Sequence, residues 1–278
     1  MAILKRRLTH ILASVFTLLL LFSCNGKQKN ANKYLISAEK AFNEANYSLA
    51  KLKIDSIKIL FPEAFNEITK GFKLMQKVRL AENNRNIAFC DSMLEVNYKQ
   101  LNTALTYFNY ERDKQYQEFG YYIPKSLPLN NAFSQNCIRA AVGENSHMYI
   151  ESVYTGQPIK HSKIKVSTKD GSYAESLSVT SDGLNYQFRT LEKSYEIVRY
   201  TGNDDNGISS FIFTFKDEPI TLTFIGSSER SVTLPSNSKK AVSQSFELAT
   251  LLKDIEDLKY EKGRSEALIK YLETKIQE

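Results

Sequence analysis

The chain has 278 residues, with 37 Lys and Arg against 31 Asp and Glu, 16 each of Tyr and Phe, three Cys and three His. Its apolar content is enough for a real core and excludes global disorder, and its length suits one large or two modest domains. Without residues 1–23, which carry Lys5, Arg6 and Arg7, 34 basic residues face 31 acidic ones, a net +3, which is not the field of a nucleic-acid binder.

The three early charges precede an apolar run, Ile11 to Phe22, interrupted only by Ser14 and Thr17 and ending at Ser23-Cys24. A basic segment, a short apolar segment and a small residue before the cut describe a secretory signal peptide over residues 1–23. Twelve helical residues reach roughly 18 Å, short of the roughly 30 Å of bilayer hydrocarbon, so length argues against a transmembrane helix; ordinary secretion with a coincidental cysteine, or an uncleaved anchor, is the alternative. Leu21-Phe22-Ser23-Cys24 resembles a lipobox, the processing motif of bacterial lipoproteins, and the whole leader looks like that of a Bacteroidetes-type lipoprotein. The resemblance implies that Leu21, Phe22 and Ser23 are read by the signal peptidase. It also implies that the Cys24 thiol receives diacylglycerol, so that a lipid bilayer is the first partner.

Residues 24–32 read as a polar tether. Acidic residues after the cysteine resemble a surface-export signal in such lipoproteins; Lys27 and Lys29 stand here instead, which points to a periplasm-facing envelope protein.

A helical region is expected over 33–119. Leu35, Ala38, Phe42 and Ala45 share one helical face, Asn46-Tyr47 marks a turn, and Leu49, Leu52, Ile57 and Leu60 define a second helix that Pro62 ends. Ala38, Tyr47, Ala50, Ile54, Ile57 and Pro62 resemble one tetratricopeptide (TPR) unit, with Ala45 in place of the expected turn glycine. No second copy follows, and a generic helical hairpin is the equal alternative. A third helix is expected over 63–81, with Gly71 at its middle and a break at Glu82-Asn83-Asn84. A long helix then carries Ile87, Cys90, Leu94, Asn97, Leu101, Ala104 and Phe108 at heptad spacing.

From Gly120 to residue 241 the pattern is that of an antiparallel β-sandwich or barrel of seven or eight strands. Strands are expected at 137–142, 147–154, 163–168, 194–200, 210–215 and 220–225, with turn signals at Asp170-Gly171, Asp182-Gly183 and Asn206-Gly207. A coiled-coil-like helix closes the chain over 242–278, with Leu248, Leu251, Ile255, Leu258, Ile269, Leu272 and Ile276 in its seam and Lys262 and Ser265 at its weak centre. The fold class is α+β. The two long seams are expected to pair antiparallel, with Asn97 facing Ser265, Cys90 facing Leu272 and Phe108 facing Ile255; separate packing, or pairing with another chain, is the alternative.

Chemistry is sparse. Cys90 and Cys137 read as buried thiols, with a disulfide as the alternative. His147 and His161 lack metal-ligand spacing and read as surface residues. Asn203-Asp204-Asp205-Asn206-Gly207 reads as a hairpin turn rather than a calcium loop, because Thr214 stands where a bidentate Glu would be needed. No nucleophile elbow, phosphate loop, dinucleotide fingerprint or His-Glu-x-x-His helix occurs, so no cofactor, metal or catalytic residue is assigned. The expectation is a non-catalytic, membrane-anchored binding or scaffold module with a protein partner in the envelope. An envelope hydrolase with a dispersed site is the competing class, for which a pocket holding a Ser/His pair would be the mark. A surface carbohydrate-binding protein is the third, and it requires a flat exposed row of Tyr or Phe.

Overall fold

Small side chains decide how the first helices meet. The computed structural model describes residues 28–128, 135–180, 185–189 and 193–277, which form two compact units: residues 28–92 with 260–277, and residues 93–259. The helices are α1 (28–43), α2 (Tyr47–Leu60), α3 (Phe65–Leu105), α4 (Ile208–Thr214) and α5 (Ser236–Gln277).

In the first unit Ala31, Ala38 and Ala50 are fully buried, so α1 and α2 approach closely, and Ile54, Ile57, Leu74, Met75 and Val78 fill the space against α3. Gly71 of α3 lies over Ile54 and Ile57, where an added Cβ would stand in ordinary contact at 3.4 and 3.7 Å. The turn between α1 and α2 closes by Asn46 N–H to Ala41 O (2.8 Å) and Ala45 N–H to Phe42 O (2.9 Å), with Ala45 at φ +56°. That double bond pattern is a Schellman turn, whose left-handed residue is normally glycine. Asn46 Oδ1 then caps α2 by accepting from Leu49 N–H at 3.1 Å.

Several expectations are corrected here. Residues 28–32, read as tether, are helical, with Ala31 buried. No break occurs at 82–84. There α3 stays continuous because its polar run finds partners: Asn83 Nδ2 donates to Arg79 O, and Glu82 pairs with Lys51 at 2.7 Å. The helix also stops at Leu105 rather than 119, where Thr106 turns its hydroxyl back onto the carbonyl of Thr103.

Both long helices run antiparallel within each unit, but in a different register from the expected one. In the first unit Ser265 Oγ accepts from Asn86 Nδ2 at 2.8 Å, and Lys262 pairs with Asp91 at 2.6 Å. In the second, Phe108 packs with Leu248 and Val142. The shift is about three helical turns in the first unit and about two in the second, which preserves the apolar faces while exchanging their partners.

The second unit holds two antiparallel sheets. One has six strands in the order β1 (Phe108–Glu111), β2 (Tyr121–Pro124), β3 (Cys137–Gly143), β4 (Met148–Gly156), β8 (Ser194–Thr201) and β7 (Tyr186–Arg189). The other has four, in the order β10 (Glu229–Thr233), β9 (Thr221–Ile225), β5 (Lys163–Ser167) and β6 (Tyr173–Glu175). Neither closes on itself, so the barrel alternative is not realised among the described residues. Ile138, Ile150, Ile164, Val166, Leu222 and Phe224 from both sheets share one core, joined by Ile208 and Ile212 of α4 and Val242 of α5.

Residues 210–215, expected as a strand, form the end of α4 and its C-cap, Phe215. Alternating Phe211, Phe213 and Phe215 suggested period two, but the buried set is Ile208, Ser209 and Ile212, the spacing of a helical face. Asn206 and Gly207 take left-handed conformations and turn a 3-10 segment, Gly202–Asp205, into that helix rather than closing a hairpin. The last helix starts at Ser236, six residues before its expected start, and Ser238 at its first turn donates to Ile138 O and accepts from Ile138 N–H. Asp182-Gly183 lies outside the described residues.

Candidate functional site

Strand alternation points Ser152 of β4 into the core, on the same side as Ile150 and Tyr154. β8 lies beside β4 with Ser152 opposite Val198 and Tyr154 opposite Glu196, so Glu196 faces the same core. The connection from β4 to β5 folds back over this carboxylate. Glu196 accepts from the backbone N–H groups of Ile159 (2.8 Å), Lys160 (2.8 Å) and His161 (2.9 Å), and from His161 Nδ1 at 2.8 Å. Lys160 adopts φ +52° to wind the strap that tightly. The opposite wall is Gly226, where a Cβ would fall 2.2 Å from Ile159 O; no other residue fits without moving the strap.

His161 Nε2 lies 2.7 Å from Ser152 Oγ. Ser152, His161 and Glu196 therefore stand in the connectivity of a hydrolytic triad. With the carboxylate accepting from Nδ1–H, Nε2 is left to accept from the serine hydroxyl. Burial alone would push Glu196 up, but hydrogen bonds from the His161 ring and the three amides outweigh it and hold the carboxyl at about 2. Accessibility decides what this array can do. The three residues are 0 %, 3 % and 2 % exposed, and Tyr154 and Phe224 pack edge-on against the imidazole. A nucleophile needs room for a carbonyl and for donors to its oxyanion. In this closed form the array locks the strap to the sheet.

His161, expected at the surface, is thus a core residue, while His147 is exposed as expected. The signal missed was Glu196, 35 residues away in sequence. Only pairing of β4 with β8 brings it under the strap.

A second cluster occupies the opposite face of the same sheet. Glu151 accepts from Arg139 Nε at 2.6 Å and from Arg199 Nε and Nη2 at 2.8 and 2.6 Å. Arg199 lies flat on Tyr149, 4.1 Å from the ring centre, and Tyr121 meets the same ring edge-on at 5.5 Å. This fixed arginine forms one wall of an open hollow of about 920 Å³ whose other sides include Arg112, Tyr116 and Phe119. An apolar groove of about 700 Å³ in the same unit is lined by Tyr107, Phe213, Phe246 and Leu251, with Asn97 at its floor. Asn97, expected to fix a helix pair, is buried beside that groove.

The remaining candidates do not converge. Asp205 receives Ser209 N–H and Oγ, and Asn206 reaches Glu175 O, so the acidic loop caps α4. Cys90 and Cys137 are both buried and form no disulfide; burial pushes the Cys137 thiol up to about 12. Among the described residues no group of three His, Cys, Asp or Glu could hold a metal ion, and no helix is long and apolar enough to cross a membrane. Leu21, Phe22, Ser23 and Cys24 lie outside the described residues. Compared with protein-family models, curated proteins and solved structures, the chain matches none.

Proposed function

We propose that this chain is a lipid-anchored, non-catalytic binding or scaffold module of the bacterial cell envelope, held through acylated Cys24 and facing the periplasm. The lipobox-like sequence supports the anchor. The observation that carries the binding role is Arg199, clamped by Glu151 and laid on Tyr149 at the wall of an open hollow that mixes charged side chains with Tyr116, Phe119 and Tyr121. Preorganised arginine and tyrosine are the side chains that dominate protein–protein recognition. A protein partner fits the hollow because charged and aromatic side chains, Arg112, Lys114, Glu118, Tyr116 and Phe119, stand together in its wall, while Tyr149 is buried under Arg199 and Tyr121.

The test has two parts. The mass of the first peptide of the natural product reads the acylation of Cys24; a bare cysteine rejects the anchor. A photocrosslinker replacing Tyr116 in intact cells should yield one partner adduct that Arg199→Ala abolishes. Absence of any adduct there rejects the binding role.

The Ser152–His161–Glu196 connectivity favours a second reading, an envelope hydrolase opened when the 157–162 strap lifts. A fluorophosphonate probe separates the two. Labelling of Ser152 in the folded protein supports the hydrolase, and a silent serine supports the binding module. The finer architecture belongs to the same proposal: the α1–α2 hairpin as a TPR-like docking unit, and the two sheets as a sandwich that displays the hollow.

A further inference from the structure

We infer that the turn between α2 and α3 dips into the bilayer surface, so that the first unit contacts lipid through protein as well as through its acyl chains. This rests on the lipid-anchored reading of Cys24. Ile59, Leu60 and Phe65 flank that turn and are 75 %, 54 % and 75 % exposed. Three large apolar side chains within seven residues are an uncommon thing to leave in water.

Their position identifies what covers them. The turn sits at the end of the unit where α1 begins: Tyr34 meets Phe61 edge-on at 5.6 Å, and Ala31 and Ala64 belong to one buried cluster. Helical structure is already present at residue 28, four residues after the proposed thioether. Four residues span at most about 14 Å, so the start of α1 cannot stand farther than that from the lipid surface. A protein held so close must turn some face towards the headgroups, and the one beside the tether is apolar. Side chains of this kind settle about 5–10 Å into the headgroup and acyl boundary.

Glu67 is buried, so the charges left around the turn are Lys29, Lys33, Lys53 and Lys58 against Asp55 and Glu63, a modestly basic rim. Apolar contact and tether length carry the interaction in neutral lipid, and anionic lipid should strengthen it.

The test uses the full acylated protein in phosphatidylcholine vesicles. Leu60→Cys, Phe65→Cys and, as control, Phe89→Cys are labelled with an environment-sensitive dye. Native Cys90 and Cys137 are buried, and all three new positions are exposed in the native protein. Phe89 lies on the same helix as Phe65, about 36 Å along it. Quenching by doxyl-labelled lipid should be several-fold stronger at 60 and 65 than at 89. Equal, weak quenching at all three positions, with Cys24 shown by mass to be acylated, overturns the inference and leaves the anchor standing. A bare Cys24 overturns both. A dry but unquenched probe whose signal grows with protein density shows a second copy, not lipid, on this surface, and overturns it too.

Discussion

His161 Nδ1 and Glu196 Oε2 lie 2.8 Å apart in the core of the second unit, joining a connecting strap to the strand it crosses. The pair matters because the carboxylate also holds three consecutive amides of the strap. Those amides would otherwise be buried without partners, at a cost of roughly 1–3 kcal/mol each.

The first prediction concerns pH. The Glu196 carboxyl is held at about 2 in the folded protein, below the ordinary value of 4.5. A depressed acid stabilises the fold above its unfolded value and loses that contribution as pH falls through the folded one. Glu196 should therefore contribute about 2–3 kcal/mol at neutral pH, lost between pH 4.5 and 2. Urea midpoints of the wild type and Glu196→Gln check this: their difference should shrink across that window. A difference independent of pH would remove Glu196 as its source.

Two glycines should respond to alanine with opposite signs. At Gly226 the new Cβ would meet Ile159 O at 2.2 Å and the His161 backbone at 2.8 Å, so Gly226→Ala should destabilise by about 2 kcal/mol or more through displacement of the strap. Gly263, within α5, has nothing within 4 Å of the same position. Gly263→Ala should stabilise by roughly 0.5–1 kcal/mol through helix propensity alone. Thermal unfolding of both variants gives the comparison.

Ala45 offers a stabilising change. At φ +56° it holds a conformation that costs a residue with a Cβ about 1 kcal/mol, and its side chain is exposed. Ala45→Gly should raise the unfolding midpoint by the equivalent of about 0.5–1 kcal/mol. A lower midpoint would mean that the α1–α2 turn is not left-handed at this residue.

Glu151 is the centre of the other buried cluster, with side-chain contacts to both Arg139 and Arg199. Glu151→Ala should cost about 3–5 kcal/mol, because it removes the buried carboxylate with which both guanidiniums pair. Arg199→Ala should cost less, since Arg199 is partly exposed and Arg139 remains to neutralise Glu151. Reversal of that order would show that the cluster is hydrated.

Much of the architecture was legible because its signals are local. Period-two alternation marked β4, β5, β8 and β9, and spacings of three and four marked the helices. The errors fall where a distant partner overrides a local preference. Lys51 and Ser265 absorb the polar run at 82–86 and keep α3 intact, and Ile208 and Ile212 recruit an alternating aromatic stretch into a helix. The site was the least visible part. Ser152, His161 and Glu196 are ordinary residues in sequence and become a set only through strand pairing and a folded-back strap. Helix register was illegible for a different reason: a seam with repeated leucines tolerates shifts by whole turns, and only polar pairs choose among them.

Those polar pairs make the register testable. Asn86 and Ser265 are in side-chain hydrogen bonding at 2.8 Å, with Lys262 and Asp91 paired one turn away. Replacing both Asn86→Cys and Ser265→Cys should give an intramolecular disulfide under mild oxidation, because residues in such contact across two helices can bring their Cβ atoms near the required 3.5–4.5 Å. Cys90 and Cys137 are buried and should not compete. The bridged band should run faster on non-reducing electrophoresis at any protein concentration. A bridge that forms only between molecules would show that the two helical segments pair across copies, and the first unit would then need a partner chain to complete its core.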